Sequence, residues 1–483
     1  MRKLKGNPKI PDPCQESEQG RRHKPAVSPS PYPASDPVAG AANTRRRLGS
    51  NITWRRRKHL RPFPNNPRQH PEAQIHSLMK VLARVWTIPI LIDETGTILC
   101  GHARYEAARR LGMDKVPTIT INGLSGAEKQ SIVIADNRLP EKAAWDSDLL
   151  REHFQDLISL DVDVELTGFS TGEIDLILDG ETKLDTGENE QEWNSTESGP
   201  AVSKLNDEWQ CGRHRMLCAD AQVRDSYVRL LQGQLAQMVV TDPPYNLQIN
   251  SVVGRGKTRH REFVKASGEL SESEFVEFLA GFIKHIISVA RDGAIHFVFM
   301  DWRHLPELLS AALSQYSEWK NLLVWNKANA GQGSFYRSKH ELIAVFKSGG
   351  GRPINNFGLG GQGRYRSNVI DCPSVNSLHL ARRADLQLHP TVKPIALIAD
   401  LIRDCSRRNG IILDPFGGSG TTMIAAERTG RQARLIELDP LYVDVAVRRW
   451  EHLSNRDAIH TASGRTFAEV TAARSKPSTS TPA

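Results

Sequence analysis

The sequence predicts two α/β units in succession, the second and larger built on a doubly wound, mostly parallel sheet. Three observations carry this expectation. From about Leu205 onward, short continuous apolar runs alternate with segments of helical periodicity, as in strands covered on both faces. Polar and charged residues gather at the C-terminal ends of those runs, where open α/β sheets hold their ligands. Between Leu60 and Ile121 the same alternation recurs on a smaller scale.

In chain order, residues 1–58 are rich in Pro, Ser and Arg, including Pro29-Ser30-Pro31-Tyr32-Pro33 and Arg45-Arg46-Arg47. They read as a disordered basic tail, suited to electrostatic attachment to DNA or simply solvated. Residues 59–150 form the first unit. Helical spacing over 69–85 leads to a strand at 88–93, a Thr95-Gly96 turn and a short strand at Ile98-Leu99. The chain then passes Gly101-His102-Ala103-Arg104 into a helix at 105–111, stopped by Gly112, and a strand at 116–121. Residues 151–179 extend this unit with helices, and 180–204, acidic and rich in Gly, Ser and Thr, form a linker. The second unit spans 205–468, and a disordered tail follows at 469–483.

Of the 483 residues, 39% are hydrophobic, enough to bury a core in most of the chain. The net charge is +8, but residues 1–61 alone hold 15 Lys/Arg against 4 Asp/Glu, and the remaining 422 hold 48 against 51. The basic balance therefore belongs to the tail and does not argue that the folded part binds nucleic acid. No apolar run approaches the ~18 residues of a membrane span, and the basic first residues lack an apolar segment behind them. Six scattered cysteines, without CxxC or zinc-type Cys/His spacing, exclude a disulfide framework and a recognisable zinc module. A cytoplasmic protein without a metal or a membrane partner is expected.

Within the second unit, the run Met238-Val239-Val240 enters Thr241-Asp242-Pro243-Pro244-Tyr245. Residues 294–300 lead to Asp301, 321–325 to Asn326-Lys327, 342–346 to Lys347, 411–413 to Asp414-Pro415-Phe416, and 434–436 to Glu437. The strongest local signal is Asp242-Pro243-Pro244-Tyr245. The exocyclic amine of adenine or cytosine is a poor nucleophile because its lone pair is delocalised into the ring. The Asp242 carboxylate and the Pro243 carbonyl can each accept one N–H and steer that lone pair outward, and the carboxylate stabilises positive charge developing on nitrogen. Two prolines remove competing donors and stiffen the backbone. Tyr245 offers a π-face to a base withdrawn from the duplex.

Asp414-Pro415-Phe416-Gly417-Gly418-Ser419-Gly420-Thr421-Thr422 is a glycine-rich loop opening a helix. It lacks the lysine of a nucleoside-triphosphate loop and the spacing of a dinucleotide fingerprint, so its ligand carries no pyrophosphate. Glu437 ends the next apolar run and can accept both hydroxyls of a ribose. Together they suit an adenosine-bearing cofactor, and S-adenosylmethionine is the one consistent with amine alkylation. Cys218-Ala219-Asp220 follows a short strand and can place Asp220 on the adenine amine of the cofactor, and the segment from His389 through Lys393-Pro394 opens a helix leading toward the glycine loop.

On these residues, 205–455 resemble the β-class of amino-methylating DNA methyltransferases, with the catalytic tetrapeptide 172 positions ahead of the cofactor loop in circularly permuted order. The resemblance implies a Rossmann-like, S-adenosylmethionine-dependent methyltransferase fold. It implies catalytic roles for Asp242, Pro243, Pro244 and Tyr245. It also implies cofactor contacts by Asp220, Lys393, Asp414, Phe416, Gly417, Gly418, Ser419, Gly420, Thr421 and Glu437. Ala219 stands where the family usually has glycine.

Residues 60–150 resemble the ParB/sulfiredoxin-like domain that precedes some phage- and prophage-type methylases. Asn66-Pro67-Arg68, Gly101-His102-Ala103-Arg104, Ala107-Ala108 and Ala135-Asp136-Asn137-Arg138 carry that likeness, continuing through Trp145-Asp146 to Thr167-Gly168-Phe169. The paired arginine of CTP-hydrolysing relatives and the sulfiredoxin cysteine are both missing here. His102 and Arg104 stand either as phosphate contacts or as parts of a structural turn.

Two basic segments between the catalytic and cofactor motifs have the side chains that contact phosphates and read base edges: Arg255, Lys257 and Arg259 in one, Arg364, Arg366 and Asn368 in the other. The expected activity is methylation of adenine N6 in a flipped base of double-stranded DNA. Cytosine N4 or an RNA substrate is the enzymatic alternative, and a ParB-like DNA-binding or partition protein with an inactive methylase domain is the other. Cytosine C5 chemistry needs Pro-Cys, and Cys372-Pro373 is reversed. The 60–150 segment has no clustered carboxylates to recommend a nuclease. A homodimer and a cognate restriction enzyme stay open.

Overall fold

The computed structural model describes residues 51–179, 200–247, 266, 268–327, 335–357, 366–373 and 393–475, and it divides into two compact units between Lys142 and Ala143. In the first unit, strands β1 (Thr53–Arg56), β2 (Ile90–Asp93), β3 (Ile98–Cys100) and β4 (Lys115–Ile121) form one sheet in the order β1-β4-β2-β3. Ile90, Ile92, Ile98 and Val116 are fully buried at its centre. Gly101 takes φ 96°, open to glycine at little cost, and turns the chain from β3 into the helix His102–Arg110.

Residues 1–50 of the expected tail lie outside the described residues, and the part from 53 to 56 is a strand, because β1 pairs with β4 from Thr53↔Thr118 to Arg56↔Lys115. Three of its four residues are exposed, so no apolar period marks it. The backbone ladder and side-chain bonds such as Arg55 to Thr120 hold it.

In the second unit, strands β5 (Glu208–Cys211), β6 (His214–Cys218), β7 (Ala236–Thr241), β8 (Ala290–Met300), β9 (Glu318–Asn326), β10 (His340–Lys347), β11 (Val369–Asp371), β12 (Ile411–Asp414), β13 (Gln432–Glu437) and β14 (Ile459–His460) form one sheet. Their order is β11-β9-β10-β8-β7-β12-β13-β6-β5-β14. The centre, β8-β7-β12-β13-β6, is parallel throughout. Met238 and Val240 face one apolar cluster and Val239 the other, which explains their unbroken apolar run.

The strand β10 runs antiparallel to both β8 and β9. Its reversal corrects one expectation. Lys347 lies at the edge of the sheet away from the other strand ends and pairs with Glu318, whereas the start of β10 reaches the functional edge. A short apolar run carries no sign of its direction, so sequence pattern could not decide this.

Connections leave β7 toward β8 on one side and β12 toward β13 on the other. The crevice at the C-terminal ends of β7 and β12 is therefore the topological switch point of the sheet, where doubly wound folds bind ligands.

Two further boundaries differ from expectation. The helices Ser147–Ser159 and Thr171–Asp179 belong with the second unit rather than extending the first. Asp175 explains why, since it forms a bidentate pair with the buried Arg431. The C-terminal helix Phe467–Arg474 carries order past 468, with Thr466 closing a capping box and Phe467 and Val470 buried. The expected linker lies outside the described residues except at 200–204. Among the described residues no helix is long and apolar enough to cross a membrane.

Candidate active site

An open cavity of about 1120 Å³ occupies the switch-point crevice. Every residue expected at the catalytic and cofactor ends lines it except Gly420. The two motifs, 172 positions apart in sequence, meet because β7 and β12 are neighbours, with Leu413 opposite Val239. Side chains lock them together. Thr241 Oγ1 donates to Asp414 Oδ1 (3.1 Å) and Thr422 Oγ1 to Asp414 Oδ2 (2.6 Å), while the Phe416 amide also bonds to Asp414 Oδ1 (3.1 Å). Asp414 thus organises the loop with oxygens already engaged. Burial raises its carboxyl to about 7 against the pull of these donors.

The glycine loop is shaped by packing as much as by any ligand. Phe416 sets its ring edge-on to Phe282, 5.0 Å between centroids, which fixes the loop against the helix Glu272–Ser288. Arg449 reaches Ser419 and Thr421 at 3.3–3.4 Å from the helix Pro440–Ser454. Gly420, expected to contact cofactor, instead makes the left-handed turn into the helix Thr421–Thr429 at φ 81°. A β-carbon there would lie 2.8 Å from Ala446 Cβ. Gly420→Ala is expected to cost about 1–3 kcal/mol through overpacking and strain, read as a lowered melting temperature.

At the far side of the cavity Glu437 ends β13. Its Oε2 accepts from the Gly418 amide (2.8 Å) and its Oε1 from the Asp439 amide (2.9 Å). Burial raises its carboxyl to about 7, and these amides work against that. It remains partly exposed to the cavity. Asp220 follows β6, the neighbour of β13, and accepts from the Gln222 amide (2.9 Å).

The catalytic end is a charged network. The Tyr245 hydroxyl lies 2.5 Å from an oxygen of Asp242 and from one of Glu341. Lys393 Nζ sits 2.7 Å from Asp242 Oδ2 and 2.8 Å from Glu341 Oε1, and Lys327 Nζ is 2.7 Å from Glu341 Oε2. Burial raises the Asp242 carboxyl, and the Glu341 charge adds to this against the attraction of Lys393. Burial also acts to raise Glu341, but Lys393 and Lys327 outweigh it and hold Glu341 at about 2. Burial and both carboxylates push the Tyr245 phenol well above its ordinary value, so it stays protonated.

Lys393 was expected among the cofactor residues. Its ammonium stands instead on the catalytic carboxylate. Glu341 was not anticipated from sequence, and the antiparallel β10 is what delivers it, through the register Glu341↔Trp325. Asn246 was also missed. At φ 53° its side-chain oxygen accepts from the Gly268 and Leu270 amides, tying the turn after the tetrapeptide to the next helix.

Arg255, Lys257, Arg259 and Arg364 lie outside the described residues. Arg366, expected to meet DNA, is bound to Asp404 and Asp400 at 3.0 Å each, so its charge is already paired within the unit. Asn368 is exposed, and its carbonyl holds Val324. In the first unit, His102 accepts from the Phe63 amide (3.1 Å), and burial with His70 nearby lowers it to about 4. It is therefore neutral near pH 7 and no cationic phosphate ligand. Arg104 is partly buried against Gly101, with Asp136 countering the cost of its burial. Among the described residues no group of His, Cys, Asp or Glu is placed to hold a metal ion.

A family model for DNA methylases matches residues 236–448, which contain both halves of this crevice. The type II methyltransferase M.ScaI of Streptomyces caespitosus is 39% identical over 255 residues, covering 46% of this chain and 78% of the relative. The chain belongs to the N6/N4 DNA methylases. Methylases of this family are S-adenosylmethionine-dependent and act on DNA. M.HpaI of Haemophilus parainfluenzae is 24% identical over 255 residues, 49% of this methylase and 73% of that one. In front of the catalytic region, residues 148–205 match a ParB-methyltransferase HTH domain, a stretch that includes the helix Thr171–Asp179, whose Asp175 pairs with Arg431. The chain is also similar to the ParB-like nuclease domain-containing protein YnaK of Escherichia coli (strain K12), 41% identical over 80 residues, 16% of this methylase and 92% of YnaK.

Proposed function

We propose that this methylase transfers a methyl group from S-adenosylmethionine to N6 of an adenine flipped out of double-stranded DNA. One observation carries the reading: Asp242 and Tyr245 at the end of β7 face the same cavity as the glycine loop and Glu437. The choice of adenine rests on aspartate at the first position of the tetrapeptide, where cytosine-N4 relatives tend to have serine.

The residues present fit the donor. Glu437 offers carboxylate oxygens at a strand end for ribose hydroxyls, Asp220 stands by the adjacent strand for the adenine amine, and the backbone from Phe416 to Ser419 lines the approach between them. When bound, S-adenosylmethionine supplies an electrophilic methyl group on a sulfonium.

The rest is done by the chain. Asp242 and the Pro243 carbonyl each accept a hydrogen bond from the amine, so the nitrogen lone pair turns away from the ring. The Asp242 carboxylate then faces the positive charge that develops on nitrogen. One amine proton is released to solvent after the N–CH3 bond has formed and the S–CH3 bond has broken. Tyr245, its hydroxyl held by two carboxylates, presents a fixed ring for stacking; flipping costs a few kcal/mol and is offset by that stacking and by bonds to the base edge.

The test is methylation of DNA with labelled donor, digestion to nucleosides and separation of the products. N6-methyladenine supports the reading, and N4-methylcytosine as the product overturns the choice of base. Glu437→Ala is expected to weaken donor binding about ten- to a hundredfold, the worth of ~1.5–3 kcal/mol in charge-assisted hydrogen bonds, as read by calorimetric titration. The rate at saturating donor should change far less.

A further inference from the structure

Asp242 is not free to meet an amine. Its Oδ1 receives the Tyr245 hydroxyl, and its Oδ2 is paired with Lys393 at 2.7 Å. A cation on that oxygen weakens it as an acceptor and opposes the positive charge developing on the nucleophile. The same ammonium, however, stands 2.8 Å from Glu341 Oε1, and Lys327 holds the other Glu341 oxygen from the opposite side. Two carboxylates and two ammonium groups form a chain in the order Asp242, Lys393, Glu341, Lys327, with Tyr245 bridging the carboxylates.

Building on the functional reading above, we propose that Glu341 is a positioning residue for Asp242. It gives the Lys393 ammonium a second carboxylate to settle on, so that Asp242 can grip the target amine. No bond is made or broken in this step; one ion pair loosens as another tightens. The arrangement follows from topology. The antiparallel β10 starts at the functional edge and brings Glu341 there, and β9 ends at the same edge with Lys327. Glu341 is buried, so without the ammonium its charge would stand in a poorly solvated place.

The groups facing Asp242 are Lys393 from the segment before the helix Ile395–Cys405, Tyr245 from its own turn, Glu341 from β10 and Asp414 from β12, with Lys327 reaching it through Glu341. Their charges make the proposal testable by the pH dependence of single-turnover methyl transfer at saturating donor and DNA. In Glu341→Gln, Lys393 is left on Asp242 alone. The plateau rate should fall tenfold or more, and the acid limb, set by protonation of Asp242, should move to lower pH because a nearby negative charge has gone. In Lys327→Gln a positive charge is lost instead, and the acid limb should move to higher pH. Donor and DNA dissociation constants should stay within about threefold of the wild type. A purely structural role would lower the plateau and leave both limbs in place.

The proposal is overturned if the limbs stay in place or shift in the same direction, or if the Glu341→Gln plateau stays within twofold of wild type. Should Glu341→Gln fail to fold, the partly exposed Lys327→Gln decides alone, by an upward shift or none. A wild type that transfers no methyl group to DNA takes down the functional reading and this proposal together. An active wild type whose variants keep its acid limb takes down the proposal alone.

Discussion

Asp242→Ala is expected to lower the rate of methyl transfer by three orders of magnitude or more, about 4 kcal/mol of transition-state stabilisation. The loss should fall almost wholly on the chemical step. The carboxylate is the one group at the end of β7 that can both accept an amine hydrogen and oppose the charge forming on nitrogen. Donor binding depends on Glu437 and the loop after β12, which Asp242 does not touch, so the donor Kd should stay within about threefold. The remaining partners have somewhere to go: Lys393 keeps Glu341 at 2.8 Å, and the Tyr245 hydroxyl keeps its bond to the same residue. The fold should therefore survive, and an unchanged melting curve beside an inactive enzyme is the expected pair of results. A variant retaining more than a tenth of wild-type single-turnover rate would show that the amine is not gripped there.

Much of this site was legible in sequence because its two signals were local. A tetrapeptide after a buried run, and a glycine loop before a helix, each announce a strand end, and a doubly wound sheet brings strand ends together. What sequence could not give is partnership across strands of unknown direction. Glu341 precedes an apolar run like any charged residue before a strand. Only the antiparallel register of β10 turns it toward Asp242, and the same reversal removes Lys347 from the edge where it was expected. Lys393 was recognised as part of the site, but its pairing with Asp242 was not, because motif order along the chain says nothing about which side chain another faces.

Glycines and arginines show the same limit. Gly417, Gly418 and Gly420 look alike in the loop, yet the fold requires them differently: a β-carbon at Gly417 would meet Leu435, Gly418 takes a positive φ, and Gly420 combines a left-handed turn with close approach to Ala446. Arg366 has the composition of a base-reading side chain and spends its charge on Asp400 and Asp404. Residue type limits what a side chain can do, and the neighbours present in the fold decide what it does. The exposed edge strand β1 was missed for a related reason, since a ladder of backbone bonds leaves no apolar period to read.

The largest expected loss of stability is at Asp175→Ala. Arg431 is wholly buried, and its guanidinium meets the two Asp175 oxygens at 3.0 and 2.7 Å, across 256 positions of sequence. The Ser406 and Thr429 carbonyls and the Ser406 hydroxyl take its other hydrogens, so the arginine has no route to water when the carboxylate goes. Removing one partner of a buried pair costs roughly 3–5 kcal/mol, because the remaining charge stays desolvated. For a unit of this size that is a fall in melting temperature on the order of 10 °C. Asp175→Leu combined with Arg431→Met separates the two meanings of the pair. If the loss comes from a stranded charge, the double variant should recover most of it, since apolar side chains of similar volume often replace such a pair without penalty. If Asp175→Ala melts with the wild type, the helix Thr171–Asp179 is not held on the methylase core by this contact, and the 143–179 segment would have to be assigned to its unit on other grounds.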